Sequence, residues 1–279
     1  MKAVLLARGL GSRMKHDGDG ASLSVSQTSA AAAGSKGMMP VGDPSTSLGA
    51  GGRMRPFLDF VLSALADAGS REVCFVVAPD HSAIRDYYDG DGRPSRVRIH
   101  YAIQPEPDGT ARAVLSAESF AGGDSFLVLN SDNLYPPDVL RALIQLREPG
   151  LPAYERDSLV TQSGFPRDRV AAFAALKVDA DGYLTRIVEK PGPAYYDAAG
   201  PNALISMNAW RFDSRIFDAC RRVPLSSRGE YELPEAVGVA ISQGVRFKTF
   251  RARGAVLDLS RRSDVANVSR HLAGVGPRP

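Results

Sequence analysis

Cysteine, tryptophan and histidine are scarce in this chain. Its 279 residues include two cysteines, one tryptophan and four histidines. Two cysteines argue against a disulfide framework or a zinc site with cysteine ligands. Cys74 lies in an apolar run and Cys220 in a predicted helix, so we expect both to be buried, reduced packing residues. The histidines are scattered without metal-ligand spacing and support neither a zinc site nor a histidine general base.

The chain also lacks an excess of charge of either sign and any long apolar run. The formal net charge at pH 7 is +3 and the 34 basic residues are dispersed, which argues against nucleic-acid binding. No apolar run approaches the roughly 18 residues of a membrane span, and the first residues read as a core strand rather than a signal peptide. We therefore expect a cytoplasmic protein that binds neither nucleic acid nor membrane, and homo-oligomer formation stays open.

Hydrophobic residues make up 44% of the sequence and follow alternating strand and helix patterns. Short apolar runs at 72–78, 97–103 and 126–129 are typical of parallel strands covered on both sides. Apolar residues at spacings of three and four predict helices over 56–68 and 138–146. The first half of the chain is therefore predicted to form a doubly wound α/β sheet with ligands at the carboxyl ends of its strands.

The second half has a different pattern. Strand-like stretches occur at 170–178, 183–189 and 203–212, and the turn Asp179-Ala180-Asp181-Gly182 between the first two predicts a hairpin. We expect these strands to form a smaller mixed sheet over the ligand cleft. The closing helices are predicted at 232–242 and 265–272.

The first apolar strand runs directly into a glycine-rich turn, so that residues 2–14 read KAVLLARGLGSRM. Gly9 and Gly11 tolerate backbone conformations that other residues avoid, which lets backbone N–H groups approach phosphate oxygens. Arg13 adds a positive charge. The turn is not a dinucleotide-binding fingerprint, which needs glycine at Met14, nor a P-loop, which ends in Gly-Lys-Ser/Thr. On its own it fits a phosphate loop and an ordinary strand-to-helix turn equally well.

Further motifs follow this turn along the chain. They are KGMMPV at 36–41 with Arg55-Pro56-Phe57-Leu58, Gln104 with Gly109-Thr110-Ala111, Asn130-Ser131-Asp132-Asn133, Val188-Glu189-Lys190-Pro191 and Val256-Leu257-Asp258-Leu259. Their identity and order resemble those of the sugar-1-phosphate nucleotidylyltransferases. The resemblance implies an α/β fold in which helices flank a Rossmann-like mixed, mainly parallel sheet with a smaller β-rich sugar-binding subregion. It also implies a single domain, 1–279, with a nucleotide-binding half at about 1–150 and an acceptor half at about 151–279.

The same resemblance assigns residues to the nucleotide. The implied nucleotide-binding residues are Leu6, Ala7, Gly9, Gly11, Gln104 and Gly109. The amide of Gln104 offers a donor and an acceptor to the edge of a pyrimidine base, which favours UTP or dTTP. A solvent-facing loop glutamine is the alternative.

The implied catalytic residues are Arg13, Lys36 and Asp132. A phosphate oxygen of the sugar 1-phosphate attacks the α-phosphorus in line, so the reaction needs positioning and charge stabilisation rather than a protein nucleophile. Asp132 and Asp258 are the implied metal aspartates, since two carboxylates can hold one Mg²⁺ together with phosphate and water. For Asp258, capping of the last helix is an alternative.

On the acceptor side, the resemblance implies that Glu189 accepts hydrogen bonds from sugar hydroxyls and that Lys190 binds the sugar phosphate. Asn133 and Asn208 are the other implied acceptor-binding residues. Trp210, in a segment where the family has small residues, more often belongs to a core than to a ligand site.

Two more departures from the family pattern involve charge. Arg8 stands where glycine or alanine is usual, and its side chain either points outward or narrows the choice of base. Ser260-Arg261-Arg262 follows Asp258 where the family has glycine, threonine and proline.

Two stretches, 17–34 and 43–52, interrupt the motifs. Neither has apolar periodicity, so neither is expected to contribute much to the core. The first lies between Arg13 and Lys36, where it is either a flap that closes over a triphosphate or a surface insert without function. The second has no assigned role.

The hypothesis that unites these features is a Mg²⁺-dependent nucleotidylyltransferase that converts an NTP and a sugar 1-phosphate into an NDP-sugar and pyrophosphate. One alternative keeps the chemistry but transfers the nucleotide to a non-sugar phosphomonoester such as phosphocholine. Another is a regulator that binds nucleotide sugars without catalysis. The presence of both phosphate-binding cations and both metal aspartates favours the enzyme.

Overall fold

The computed structural model describes residues 1–9, 11–16, 22–42, 54–200 and 203–279. The stretch at 43–52, which was expected to contribute little to the core, lies outside these residues. No helix in the described ranges is long and apolar enough to cross a membrane.

The strands and helices of the described residues follow one another along the whole chain. The strands are β1 (Lys2–Leu6), β2 (Pro40–Val41), β3 (Arg55–Pro56), β4 (Glu72–Val77), β5 (Arg98–Ile103), β6 (Phe126–Asn130), β7 (Asn133–Leu134), β8 (Gly150–Glu155), β9 (Ala175–Val178), β10 (Leu184–Val188), β11 (Leu204–Ile205), β12 (Ala209–Phe212), β13 (Lys248–Ala252) and β14 (Leu257–Asp258). The helices are α1 (Ser12–His16), α2 (Val25–Ala33), a 3₁₀ helix (Lys36–Met38), α3 (Phe57–Ala68), α4 (Ala83–Asp89), α5 (Thr110–Ser116), α6 (Glu118–Ala121), α7 (Pro137–Gln145), α8 (Arg156–Thr161), α9 (Arg167–Val170), α10 (Pro193–Ala199), α11 (Arg215–Arg222), α12 (Leu233–Ser242) and α13 (Asp264–His271).

Ten strands form one continuous sheet in the order β10-β9-β11-β8-β12-β6-β1-β4-β5, with β13 paired to β8. Strands β6, β1, β4 and β5 are parallel neighbours, as their apolar runs predicted. From β12 to β10 the neighbouring strands are antiparallel, and β9 and β10 form the predicted hairpin. The mixed, mainly parallel fold class is confirmed. The separate smaller sheet is wrong, because β12 pairs with β6 and joins both halves in one sheet.

Hydrophobic clusters cover both faces of this sheet. Successive residues of a strand point to opposite faces, so Leu5 packs in the same cluster as Phe57 of α3. Val4 packs in the opposite cluster, together with Cys74 and Trp210. Trp210 has no exposed surface, which confirms that it belongs to the core.

Both cysteines are buried and free, as expected. Burial raises the pKa of the Cys74 thiol to about 12, and burial has the same effect on Cys220, whose pKa is also about 12. Both are therefore uncharged packing groups at neutral pH.

The stretch at 17–34 differs from its prediction, because its described part contains a helix. In α2 the Ser24 side chain accepts from the Gln27 backbone N–H, and the Gln27 side chain accepts from the Ser24 backbone N–H, which makes a capping box. Gln27 and Ala31 are buried. The stretch thus adds Ala31 to the core, a small contribution as expected, while its capping box and packing hold a helix that the sequence did not predict.

Candidate active site

A cleft of about 740 Å³ opens at the carboxyl ends of β1, β4, β5 and β6. The predicted site residues that line it are Leu6, Ala7, Gly9, Gly11, Arg13, Lys36, Gln104, Gly109 and Asp132. Ligands of open parallel sheets bind at this edge of the sheet. The fold thus brings motifs that are about a hundred residues apart in the sequence into one cleft.

The two glycines of the first turn have different surroundings. Gly11 has φ +64°, and a Cβ at this position would lie 2.4 Å from the backbone oxygen of Gly34, which caps α2. A Cβ on Gly9 would meet nothing within 4 Å. Gly11 is therefore required by the close approach of the α2 end, whereas Gly9 faces open space where a ligand has room.

Lys36 and Asp132 form an ion pair in the cleft. Lys36, at the start of the 3₁₀ helix, donates from Nζ to Oδ2 of Asp132 at 2.8 Å. Each side chain is 18% exposed, so the pair is partly shielded from water. Arg13 lines the same cleft from α1 with an exposed side chain. Lys36 and Arg13 therefore both line the cleft that contains the Asp132 carboxylate.

The second aspartate, Asp258, reaches the first through a two-stranded ladder. Strand β14 pairs with β7 so that Asp258 lies opposite Asn133, and the backbone N–H of Leu259 donates to the Asp132 carbonyl at 2.8 Å. Burial raises the pKa of Asp258, the Asp132 charge raises it further, and Arg169 opposes both. The two carboxylates predicted to share a metal ion are therefore neighbours.

Arg169, on α9, is a functional candidate that the sequence did not reveal. Its Nη2 donates to Oδ1 of Asp258 at 2.8 Å and to Oδ2 of Asp264 at 3.1 Å. Its Nη1 donates to Oδ1 of Asp264, and its guanidinium lies 5.0 Å from the centre of the Phe165 ring. No local pattern distinguishes Arg169 from the other basic residues, because its partners lie about ninety residues later in the chain.

Asp264, rather than Asp258, organises the turn before the last helix. Its Oδ2 accepts from the backbone N–H groups of Ser260 at 2.9 Å and Arg261 at 2.8 Å. Asp258 instead lies in β14 and pairs with Arg169. The capping alternative for Asp258 thus finds no support in these contacts.

Asp132 and Asp258 offer the hard oxygen ligands that Mg²⁺ prefers, and this ion commonly keeps waters and substrate phosphate in its coordination sphere. Among the residues that the structure describes, no group of three or more His, Cys, Asp and Glu could hold a metal ion. Two aspartates supply only part of a coordination sphere, so an ion held by them would be completed by water and phosphate. Lys36 and Arg169 already compensate the two carboxylates, so a bound ion would share them with these cations.

Gln104 is held in place by the loop that carries Asp108 and Gly109. It is 3% exposed, and its Nε2 donates to Asp108 Oδ1 at 3.0 Å and to the Gly109 carbonyl at 3.1 Å. The solvent-facing alternative is therefore wrong. Gly109 has φ +120°, and a Cβ there would lie 2.3 Å from the Tyr231 carbonyl oxygen. Because both amide hydrogens of Gln104 are used within the protein, its oxygen is the atom left to accept from a ligand.

The predicted acceptor residues do not line this cleft. Asn133 lies in the two-stranded ladder of β7 and β14, whereas Glu189, Lys190 and Asn208 follow β10 and β11 of the main sheet. Val188 pairs with Ala175, and Ala175 pairs with Ile205, which places Glu189 beside the segment that carries Asn208. Lys190 and Asn208 both have left-handed backbones, with φ of 43° and 55°. Asn208 separates β11 from β12, so the predicted strand at 203–212 is two strands.

Glu189 also lies near an ion pair that the sequence did not reveal. Arg228 donates from Nε to Oε1 of Glu232 at 2.9 Å. Desolvation raises the pKa of Glu189, the Glu232 carboxylate raises it further, and Arg228 opposes both. The spacing of four residues between Arg228 and Glu232 in the sequence is the one signal for this pair.

A larger cleft of about 1080 Å³ lies at the opposite edge of the sheet. None of the predicted site residues lines it. Two of the cations that line it, Lys2 and Arg98, are paired with Asp124 at 2.9 Å and with Glu72 at 3.5 Å. The smaller cleft at the carboxyl ends is therefore the candidate active site.

The chain is similar to known proteins over most of its length. The family model described as nucleotidyl transferase matches residues 47–273, beginning after the glycine-rich turn. The UTP–glucose-1-phosphate uridylyltransferase AglF of Haloferax volcanii is 27% identical over 218 residues, covering 78% of this chain and 84% of that protein. A glucose-1-phosphate thymidylyltransferase of Mycolicibacterium smegmatis is 27% identical, covering 91% of this chain and 75% of that protein.

The fold also recurs among solved structures. A UTP-bound UGPase from Acinetobacter baumannii superposes with a TM-score of 0.71 at 21% identity, covering 97% of this chain and 92% of that chain. A UDP-glucose pyrophosphorylase complexed with UDP-glucose gives a TM-score of 0.71 at 15% identity, covering 97% of both chains. Since the family model matches most of the sequence, the chain belongs to the nucleotidyl transferase family.

Proposed function

We propose that this protein transfers a nucleotidyl group from an NTP, with UTP or dTTP favoured, to a sugar 1-phosphate and releases pyrophosphate. The observation that carries the proposal is the Lys36–Asp132 ion pair in a cleft whose other walls are the glycine-rich turn and Gln104. The names of the uridylyl- and thymidylyltransferase relatives support the choice of substrates.

In this reaction an oxygen of the sugar phosphate forms a bond to the α-phosphorus of the NTP. The bond between that phosphorus and the α–β bridging oxygen breaks, and its electron pair leaves with pyrophosphate. Lys36 supplies a compact positive charge to the phosphates, and the Arg13 guanidinium can bind two phosphate oxygens as a fork. Catalysis then rests on in-line positioning and charge stabilisation, without a protein nucleophile.

Asp132 and Asp258 are the residues that would hold Mg²⁺, which supplies positive charge to the phosphate oxygens when it is bound. Arg169 holds the Asp258 carboxylate in a fixed position, and Lys36 does the same for Asp132. Both carboxylates are thus oriented before the substrate arrives, which reduces the reorganisation that binding requires.

The acceptor is proposed to bind beside the nucleotide cleft, where Glu189 accepts from sugar hydroxyls and Lys190 contacts the sugar phosphate. The left-handed backbones of Lys190 and Asn208 support this placement, since non-glycine residues in that conformation occur preferentially at functional sites. Asn133 lies next to Asp258 and is proposed to contribute a side-chain amide there.

The test is pyrophosphate release with Mg²⁺ and every combination of UTP, dTTP, CTP, ATP and GTP with glucose 1-phosphate, other hexose 1-phosphates and phosphocholine. We expect release to require both an NTP and a sugar 1-phosphate, with UTP or dTTP the best nucleotide. Pyrophosphate release with phosphocholine but with no sugar phosphate would show that the acceptor is a non-sugar phosphomonoester. No release with any pair, together with binding of a nucleotide sugar, would favour a regulator.

A further inference from the structure

Arg8 lies in the turn between β1 and α1, at a position where the family it resembles has glycine or alanine. Arg8 lines the same cleft as Gln104 and Gly109, and its side chain does not extend freely into solvent, because its Nε is buried. Its Nη2 donates to the carbonyl of Pro105 at 3.2 Å, and Pro105 directly follows Gln104. The guanidinium therefore spans from the glycine-rich turn to the loop that follows β5.

The hydrogen bonds of Arg8 are incomplete in the protein alone. Its Nε is buried and has no hydrogen-bond partner among the described residues. A buried donor without an acceptor is unfavourable, so a ligand oxygen within reach of Nε would supply the missing partner. Arginine offers donors and no acceptor, which limits the ligand group at this point to an acceptor such as a carbonyl oxygen.

Gln104 presents the complementary group. Its amide hydrogens go to Asp108 and Gly109, which leaves the amide oxygen as an acceptor. Uracil and thymine have a ring N–H between two carbonyl oxygens, so they can donate to Gln104 and accept from Arg8 at the same edge. Cytosine has a lone pair in place of that N–H. Its ring nitrogen and the Gln104 oxygen both carry partial negative charge and would repel each other.

Guanine has an N–H beside a carbonyl oxygen, as uracil does, but it is larger by a second ring. The arginine side chain occupies cleft space that a glycine at residue 8 would leave open. The hydrogen-bond pattern of the site therefore disfavours binding of cytosine, and the volume of the side chain at residue 8 disfavours binding of guanine.

We propose that Arg8 selects the base of the nucleotide, by donating to a carbonyl oxygen of uracil or thymine and by filling the space that a guanine base needs. This inference rests on the proposed function, since it assigns a role to Arg8 in the same nucleotide cleft. It deepens that proposal by naming the side chain that makes UTP or dTTP the favoured nucleotide.

The test measures dissociation constants of UTP, CTP and GTP by calorimetry with Mg²⁺ and without acceptor, for the wild type, Arg8→Gly and Arg8→Met. Thermal unfolding of each variant checks that it is folded. We expect Arg8→Gly to reduce the preference for UTP over GTP by about tenfold, which corresponds to about 1.4 kcal/mol. Arg8→Met keeps the bulk without the donors, so UTP binding should weaken while GTP stays excluded.

Arg98→Ala is the matched control, because Arg98 lies at the other edge of the sheet with a side chain 75% exposed. It should leave all three constants unchanged. Equal weakening of UTP, CTP and GTP in Arg8→Gly would show that Arg8 only attracts triphosphates and would overturn the inference, as would an unchanged UTP to GTP ratio. If the wild type binds no NTP, the proposed function fails instead.

Discussion

At the scale of single residues, the candidate site is a set of charges that compensate one another. Lys36 neutralises Asp132, and Arg169 neutralises Asp258. The sequence predicted Lys36 and both aspartates because each stands in a recognisable motif. It could not predict Arg169, whose role depends on a fold that brings α9 against β14 and α13.

Removing Arg169 should leave two buried carboxylates without their partner. Breaking a buried ion pair from one side costs about 3–5 kcal/mol, so Arg169→Met is expected to lower the free energy of unfolding by about that amount in urea denaturation. Arg167→Met, at an exposed position of the same helix, should change it little. Added Mg²⁺ should recover more stability in Arg169→Met than in the wild type. Equal stability of the two variants would contradict the assigned role of Arg169.

Asp132→Asn tests the proposed catalytic carboxylate. The amide keeps the shape of the side chain, so nucleotide binding should persist, but it lacks the negative charge. We expect kcat to fall by about 10²–10³-fold, the usual effect of removing one stabilising group from the transition state. Asp138→Asn, at an exposed position of α7, is the control and should keep full activity. Steady-state kinetics with an unchanged kcat for Asp132→Asn would remove this residue from the chemistry.

At the scale of elements, the sequence predicted best those strands and helices whose own pattern identifies them. The apolar runs of β4 and β6 and the helical spacing of α3 agree with the structure within one or two residues. Strands β8 and β13 were missed, because β8 contains Pro152 and β13 reads KTFRA, with only two apolar residues. These two strands form through pairing with each other, which is a long-range contact that local sequence does not show.

The junction between the glycine-rich turn and α2 leads to a prediction about two neighbouring glycines. Gly11→Ala would place a Cβ 2.4 Å from the Gly34 oxygen on a backbone with positive φ, whereas Gly9→Ala meets open space. Overpacking of this kind costs about 1–3 kcal/mol. Thermal and urea unfolding should therefore show lower stability for Gly11→Ala and near-wild-type stability for Gly9→Ala. The opposite order would mean that α2 does not pack against the turn.

At the scale of the whole molecule, the central sheet joins the two predicted halves. Sequence patterns distinguished a parallel first half from a mixed second half, but they did not show that β12 pairs with β6. Antiparallel pairing between strands about eighty residues apart depends on packing of the complete chain. The candidate cleft and the proposed acceptor residues Glu189, Lys190 and Asn208 are therefore carried by one continuous sheet.

We expect this continuous sheet to unfold as one unit, in keeping with a single domain. Because hydrophobic clusters line both faces of the sheet on either side of the β12–β6 junction, calorimetry should show one transition with equal calorimetric and van't Hoff enthalpies. Two separable transitions, with residues 1–150 melting apart from the rest, would contradict it.

The most direct test of the central claim follows the phosphorus atom that is transferred. UTP, or dTTP if it is the better substrate, labelled at the α-phosphorus is incubated with glucose 1-phosphate, Mg²⁺ and the protein, and the products are separated. Nucleotidyl transfer predicts that the label appears in the nucleotide sugar and that the released pyrophosphate is unlabelled. Label that stays in UTP, or appears in UDP while the γ-phosphate is lost, would contradict the account.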